Sequence, residues 1–121
     1  MSRKLIRIIG CILLVSSSLT AIQAQDPGSR RFRKLIRKAD AWLQARYYDQ
    51  ALLLYKEILK KAPNNEELNY KIGIAHLENQ QEAQALTYFK KLYRINRNYH
   101  PTLEFFMAEA YHYTASIEQA L

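Results

Sequence analysis

The chain has 121 residues, of which 18 are Lys or Arg and 11 are Asp or Glu, so its formal net charge is +7. This length permits one modest domain and excludes a large multi-domain enzyme. The single cysteine, Cys11, excludes a disulfide framework and a zinc site built on several cysteines, and three glycines and three prolines are too few for a turn-rich β-sandwich or barrel.

Residues 1–24 differ in composition from the rest of the chain. They open with three basic residues and no acid, continue with a short apolar stretch around Ile12, and end on the small residue Ala24. This order is typical of a secretory signal peptide, and we therefore expect an exported chain that begins at Gln25. A membrane anchor is the alternative, but it needs about 20 apolar residues, and this stretch is shorter and interrupted by serines.

Residues 25–31 are predicted as a short polar linker that precedes a domain spanning residues 32–121. The positive charge of this exported part is concentrated near its start, in Arg30, Arg31, Arg33, Lys34, Arg37, Lys38 and Arg46. Such a run is either a solvated helix start or a surface for an acidic partner or anionic lipid head groups. Nucleic acid is not expected, because the chain is predicted to be exported and has no binding motif with interleaved aromatic residues.

The spacing of apolar residues predicts helices. Residues 51–59 place Ala51, Leu54, Tyr55, Ile58 and Leu59 on one stripe of a helix, and residues 85–92 repeat the pattern. Pro63 ends the first pair of helices, and Glu66 and Glu67 suit the positive end of the next. We expect helices near 30–45, 48–61, 66–79, 82–95 and 101–114, and a last one that begins near 117.

The sequence also repeats itself. The pair Ala-Leu occurs at 51–52, 85–86 and 120–121, with separations of 34 and 35 residues. In the same phase, small residues recur at Ala39, Gly73 and Ala108, and rings recur at Trp42, His76 and Tyr111. This pattern resembles the tetratricopeptide repeat family, whose unit is a helix–turn–helix of 34 residues.

The resemblance implies an all-α fold, an antiparallel helix-pair α-solenoid with two full repeats (about 32–65 and 66–100) and an incomplete third (101–121). It implies that the small residues let paired helices approach and that the large rings are core. The expected core rings are Trp42, Tyr48, Tyr55, Phe89 and Tyr111. Lys38 and Arg97 depart from the family pattern.

Catalytic chemistry is not indicated by the residues. No nucleophile with an adjacent base and no Gly-rich phosphate loop is present, and His100 and His112 are too isolated to predict a metal site. His76 shares a repeat position with Tyr111, so we expect a structural histidine. We therefore predict a non-enzyme without cofactor or metal.

A stacked helical array instead offers a concave groove lined by the first helix of each pair. The resemblance places these residues in the groove: Ile36, Asp40, Leu43, Tyr70, Lys71, Ile74, Leu77, Phe105, Glu109 and Tyr113. The clamp with which some members hold a C-terminal carboxylate is absent, since its places hold Ile36, Asp40, Lys71, Thr102 and Phe106. We expect a protein or peptide segment of apolar character as the partner. The alternatives are a spacer whose groove is filled intramolecularly or binds nothing, and a basic module on a membrane surface.

A narrower resemblance is to the N-terminal repeat region of Bacteroidota envelope proteins that carry an outer-membrane-protein-A-like domain. It rests on the predicted signal peptide together with segments 38–40, 47–52, 70–75 and 108–112. This narrower resemblance implies a scaffold in the periplasm or at the periplasmic face of the outer membrane, with any membrane association indirect or through downstream domains. The apolar stripe near Leu121 is incomplete. We expect either a longer protein or a partner that covers Met107, Tyr111, Ile117 and Leu121.

Overall fold

The computed structural model describes residues 28–121, so the predicted signal peptide and the first three residues of the predicted linker lie outside the described residues. Within 28–121 all regular structure is helical, as predicted. The five helices are α1 (Arg30–Gln44), α2 (Tyr48–Leu59), α3 (Glu66–Glu78), α4 (Glu82–Ile95) and α5 (Leu103–Ala120). Helix α1 includes the last two residues of the segment predicted as a linker.

The starts of α1 and α3 are fixed by side-chain caps. The Ser29 hydroxyl accepts a hydrogen bond from the Phe32 amide at 3.3 Å, and Asn65 Oδ1 accepts one from the Leu68 amide at 2.9 Å. Each cap satisfies an amide that has no partner inside the helix. Glu66 and Glu67 follow the second cap and place negative charge at the positive end of the α3 dipole.

The turns between paired helices are the same in both repeats. Arg46 and Gln80, which are 34 residues apart, both adopt a left-handed backbone with φ of 65° and 59°. The next amide then reaches back to the preceding helix, from Tyr47 to the Trp42 carbonyl and from Gln81 to the His76 carbonyl, at 2.9 Å in each case. The predicted repeat is therefore present in the backbone.

The core lies between successive helices, each of which packs against the next along the chain. One cluster of buried residues joins α1, α2 and the inner face of α3, and includes Ala39, Ala51 and Tyr55. A second cluster joins α4 and α5 around Phe89 and Leu103. Burial of these apolar faces supplies the main stabilisation of the stack.

The recurring small residues allow close approach, as predicted for the first two repeats. Ala39 and Ala85 are fully buried. At Gly73 an added Cβ would overlap the ring of Phe89 in α4. The ring of Phe89 therefore occupies the space that a larger residue at position 73 would need.

The third repeat differs from the prediction. Helix α5 continues to Ala120, so the helix predicted to begin near 117 is wrong. Ala115 stands where Arg46 and Gln80 form the turns, and it is helical. A left-handed residue costs about 1–2 kcal/mol, and within residues 28–121 no helix after Ala115 packs on α5 to offset that cost.

The uninterrupted α5 leaves its last turns uncovered. The Tyr111 side chain, predicted as core, is 46% exposed, because none of the helices within residues 28–121 packs over it. Ile117 and Leu121 are exposed for the same reason. Among residues 28–121 no helix is both long and apolar enough to cross a membrane.

Candidate functional site

The first helices of the three repeats, α1, α3 and α5, form one continuous surface, which we call the first-helix surface. Two cross-repeat contacts hold it together. Lys71 of α3 contacts both carboxylate oxygens of Asp40 in α1 at 2.8 Å, and the Tyr70 hydroxyl lies 3.0 Å from Thr102 Oγ1 at the start of α5. Repeat-equivalent residues such as Ile36, Tyr70 and Phe105 therefore lie in register along the three helices.

A charge network occupies the junction of α1 and α3. Besides Asp40, Lys71 contacts Glu67 at 3.4 Å, and the Tyr55 hydroxyl of α2 donates a hydrogen bond to Asp40. Burial first, and then the hydrogen bond to Asp40, raise the pKa of Tyr55 far above its ordinary value. The phenol therefore stays protonated and remains a donor. Asp40 and Lys71, both predicted for the groove, satisfy each other here.

Tyr70 belongs to an aromatic cluster rather than standing free. Its ring centroid lies 5.5 Å from that of Tyr99, 5.0 Å from that of His100, and 6.4 Å from those of Phe89 and Phe106. These distances are those of packed aromatic pairs. Tyr70, predicted to line the groove, therefore has its ring committed to packing at the junction of α3, α4 and α5.

The aliphatic residues predicted for the groove also serve packing. Ile36 is buried, with 6% exposure, so it is a core residue and offers no free surface to a partner. Leu43, Ile74 and Leu77 are partly buried and pack against the two core clusters. Their helices turn these side chains inward, because the apolar stripe of a first helix must meet both its pair partner and the next repeat.

Helix α5 presents the exposed part of the predicted groove. Phe105, Glu109 and Tyr113 are four residues apart and therefore share one face. The Phe105 side chain is 64% exposed and that of Tyr113 is 48% exposed, whereas Glu109 is partly buried. Two aromatic rings thus stand open to solvent at this end of the first-helix surface.

The opposite end holds an open recess of about 550 Å³. It is lined by Arg30, Arg33, Ile36, Arg37, Asp40 and Glu67. We call it the arginine recess. The basic run was evident in the sequence, but the shared recess was not, although the spacing of Arg30, Arg33 and Arg37 at i, i+3 and i+7 places them on one helix face.

The histidines lie apart in different surroundings. His76 is buried, its Nδ1 lies 2.7 Å from Gln81 Oε1, and burial lowers its pKa. His100 contacts Thr102, whereas the His112 ring lies against Tyr113. In the described part of the chain, no group of three or more metal-ligating side chains converges.

Comparisons with known proteins agree with this architecture. A point mutant of MamA aligns with a TM-score of 0.64 and 18% identity, covering 82% of this chain and 72% of that one. A second structure, MamA MSR-1 C2, aligns with a TM-score of 0.62 and 20% identity. That alignment covers 93% of this chain, which spans 63% of the length of the MamA chain.

No curated protein matches the sequence. Residues 42–101, which run from the end of α1 to the residue before Thr102, match the tetratricopeptide repeat family. The match contains both left-handed turns and the Gly73–Phe89 contact. Over residues 42–101 this chain therefore matches the tetratricopeptide repeat family, and its helix pairs have the architecture of that family.

Proposed function

We propose that this protein is a non-catalytic interaction module whose first-helix surface binds a protein segment of apolar character. Tetratricopeptide repeats generally mediate contacts between proteins and are generally scaffolds without catalytic activity. The observation that carries the proposal is the exposure of Phe105 and Tyr113 on one face of α5. Exposed aromatic rings of this kind commonly anchor a partner.

The part of the first-helix surface formed by α1 and α3 supports the proposal because contacts between helices hold it in one arrangement. The Tyr70 cluster fixes α5 against α3, and the Asp40–Lys71 pair fixes α3 against α1. A surface that is already ordered loses less conformational entropy when a partner binds. In this proposal Phe105 and Tyr113 contact the partner, whereas Ile36, Tyr70 and Ile74 hold the surface in shape.

The experiment is a selection from a random peptide library displayed on phage, with the purified protein as bait. We expect enrichment of peptides with apolar residues and loss of their binding in the double variant Phe105→Ser, Tyr113→Ser. Both side chains are exposed, so the variant should keep the helical circular-dichroism signal. The matched control is Tyr47→Ser with Leu53→Ser, two residues outside the surface with 58% and 68% exposure. Equal binding by all three proteins would refute the proposal.

The cellular setting is part of the proposal. The composition of residues 1–24 supports export, and the narrower resemblance supports a place in the bacterial envelope, in the periplasm or at the periplasmic face of the outer membrane. Mass spectrometry of the N-terminus in the native host tests the export. A chain that begins at Gln25 is expected, and a cytosolic chain that keeps residues 1–24 would overturn this part.

A further inference from the structure

The arginine recess holds cations that no acidic side chain neutralises. Arg30, Arg33 and Arg37 are exposed. Among residues 28–121 every ion pair is made by a lysine, namely Lys60 with Glu57 and Lys71 with both Asp40 and Glu67. The three guanidinium groups therefore keep their donors free on one face of α1.

The two carboxylates of the recess are already engaged. Asp40 accepts from Lys71 and from the Tyr55 hydroxyl, and Glu67 lies 3.4 Å from the same lysine. With Lys71 counted, four cations face two carboxylates, which leaves a net charge of +2. An anion that enters the recess thus meets uncompensated positive charge.

The clustered basic residues do not stabilise helix α1. Like charges stand four residues apart at Arg30 and Lys34, and again at Arg33 and Arg37, and such pairs destabilise a helix. The first turn of α1 contains no acid, so its cations also face the positive end of the helix dipole. Local arrangements that oppose stability without a compensating contact are expected at functional sites.

We propose that the arginine recess binds the carboxylates of an acidic stretch in the partner segment, while apolar residues of the same segment lie on Phe105 and Tyr113. This inference rests on the proposed function and specifies the chemistry of its partner. The planar guanidinium group donates two parallel hydrogen bonds to a carboxylate, which favours arginine over lysine at such a site.

The order of the helices sets the length of the segment. Helix α3 lies between α1 and α5, and packed helices are about 8–10 Å apart. Because α1 and α5 meet α3 through side chains and not through close backbone packing, the recess and the aromatic face are separated by at least roughly 16 Å, which an extended chain spans in about five or more residues at about 3.3 Å each. The acidic stretch and the apolar anchor should be separated by that interval.

The test uses a fluorescein-labelled synthetic peptide that carries three glutamates, a five-residue Gly/Ser spacer and a Leu-Phe pair. The same peptide with glutamines in place of the glutamates is the control. We expect the glutamate peptide to bind at least tenfold more tightly in fluorescence anisotropy. This advantage should shrink as salt is raised, since the contacts are exposed charges.

Two double variants with the same loss of charge locate the effect. Arg33→Gln with Arg37→Gln should abolish the tenfold advantage and leave the melting temperature equal or higher, because repulsion in α1 is relieved. Arg31→Gln with Lys34→Gln removes two charges from residues that do not line the recess, and should keep most of the advantage. Equal losses in the two variants would show that diffuse charge, not the recess, attracts the peptide, and would overturn the inference.

Other outcomes separate this inference from the proposed function. If the two peptides bind equally, the acid-selective recess is refuted and the peptide-binding surface stands. If neither binds while the library still yields peptides that depend on Phe105 and Tyr113, only the inference fails. A third outcome uses vesicles of anionic lipid. If the protein floats with the vesicles, the variant Arg33→Gln with Arg37→Gln does not, and no peptide binds, the recess is assigned to a membrane surface instead.

Discussion

At the residue scale, the contact between Gly73 and Phe89 shows how one missing side chain sets the distance between two helices. The ring of Phe89 is fully buried and fills the space beside the Gly73 backbone. Alanine is a better helix former than glycine by about 1 kcal/mol. Overpacking a filled core site costs about 1–3 kcal/mol, so the cost of the clash should exceed the gain in helix propensity.

We therefore expect Gly73→Ala to lower the melting temperature. Thermal unfolding followed by circular dichroism measures the effect. Ala108→Leu is the matched control, because Ala108 holds the equivalent position of the third repeat and is exposed. A Gly73→Ala protein that melts at or above the wild-type temperature would mean that the Phe89 ring moves aside without cost.

His76 gives the fold a dependence on pH. Its pKa in the folded protein is lowered, chiefly by burial and further by Lys56, although the bond to Gln81 opposes this. The unfolded chain, with an ordinary histidine pKa of about 6.5, then binds more protons than the folded one as the pH falls. The contribution of His76 to stability is thus present above pH 6.5 and is lost as the pH falls through that value toward the lowered folded pKa.

Denaturant unfolding between pH 5 and pH 8 should show this loss, with lower stability at the acid end. His76→Phe should flatten that part of the pH profile, since phenylalanine has no proton to take up. His112→Phe, which changes an exposed histidine, serves as the control. Parallel profiles for the wild type and His76→Phe would contradict the assignment.

At the element scale, the turn inside each repeat depends on a left-handed residue that is not glycine. Gln80 adopts φ of 59° and its side chain is exposed, so nothing in the packing requires a glutamine. Glycine adopts this conformation without the steric cost that other residues meet. Gln80→Gly should therefore raise the free energy of unfolding, by up to about 1 kcal/mol.

Gln84→Gly is the matched control for this change. Gln84 is also exposed but lies within α4, where glycine costs about 1 kcal/mol relative to alanine. The two variants should therefore shift the unfolding midpoint in urea in opposite directions. Destabilisation of similar size in both would show that the left-handed turn is not strained.

At the scale of the whole molecule, stability is built from contacts between neighbouring helices. Helix α3 packs against α2 on one side and α4 on the other, whereas α5 packs mainly on α4 and meets α3 through the Tyr70 cluster. Ala110 is the last buried residue of α5. Regions with few buried contacts open most readily.

Amide hydrogen exchange should therefore be slowest in α3 and α4 and fastest, among the helices, in residues 113–120. Mass spectrometry of pepsin fragments resolves these segments. Protection of 113–120 as strong as that of α3 would mean that another copy or another molecule covers the exposed stripe of Ile117 and Leu121.

The sequence by itself determined the first four helices and their pairing. Their bounds agree with the apolar periodicity to within two residues, because the stripes of α2 and α4 and the caps at Ser29 and Asn65 act within a turn or two of chain. The equivalence of Ala39 and Gly73 also followed from the repeat, since a small residue in a fixed phase has the same neighbour in each copy.

Only the tertiary structure decided what the site residues do. Asp40 and Lys71 are 31 residues apart, and Tyr70 meets Thr102 across 32, so no local pattern could show that these side chains are already engaged. The same holds for the length of α5, where a packed second helix, rather than local propensity, would have stabilised the turn at Ala115. The sequence therefore supplied the helices and their faces, whereas contacts between repeats determined which of those faces remain free, because burial depends on neighbours that are distant in sequence.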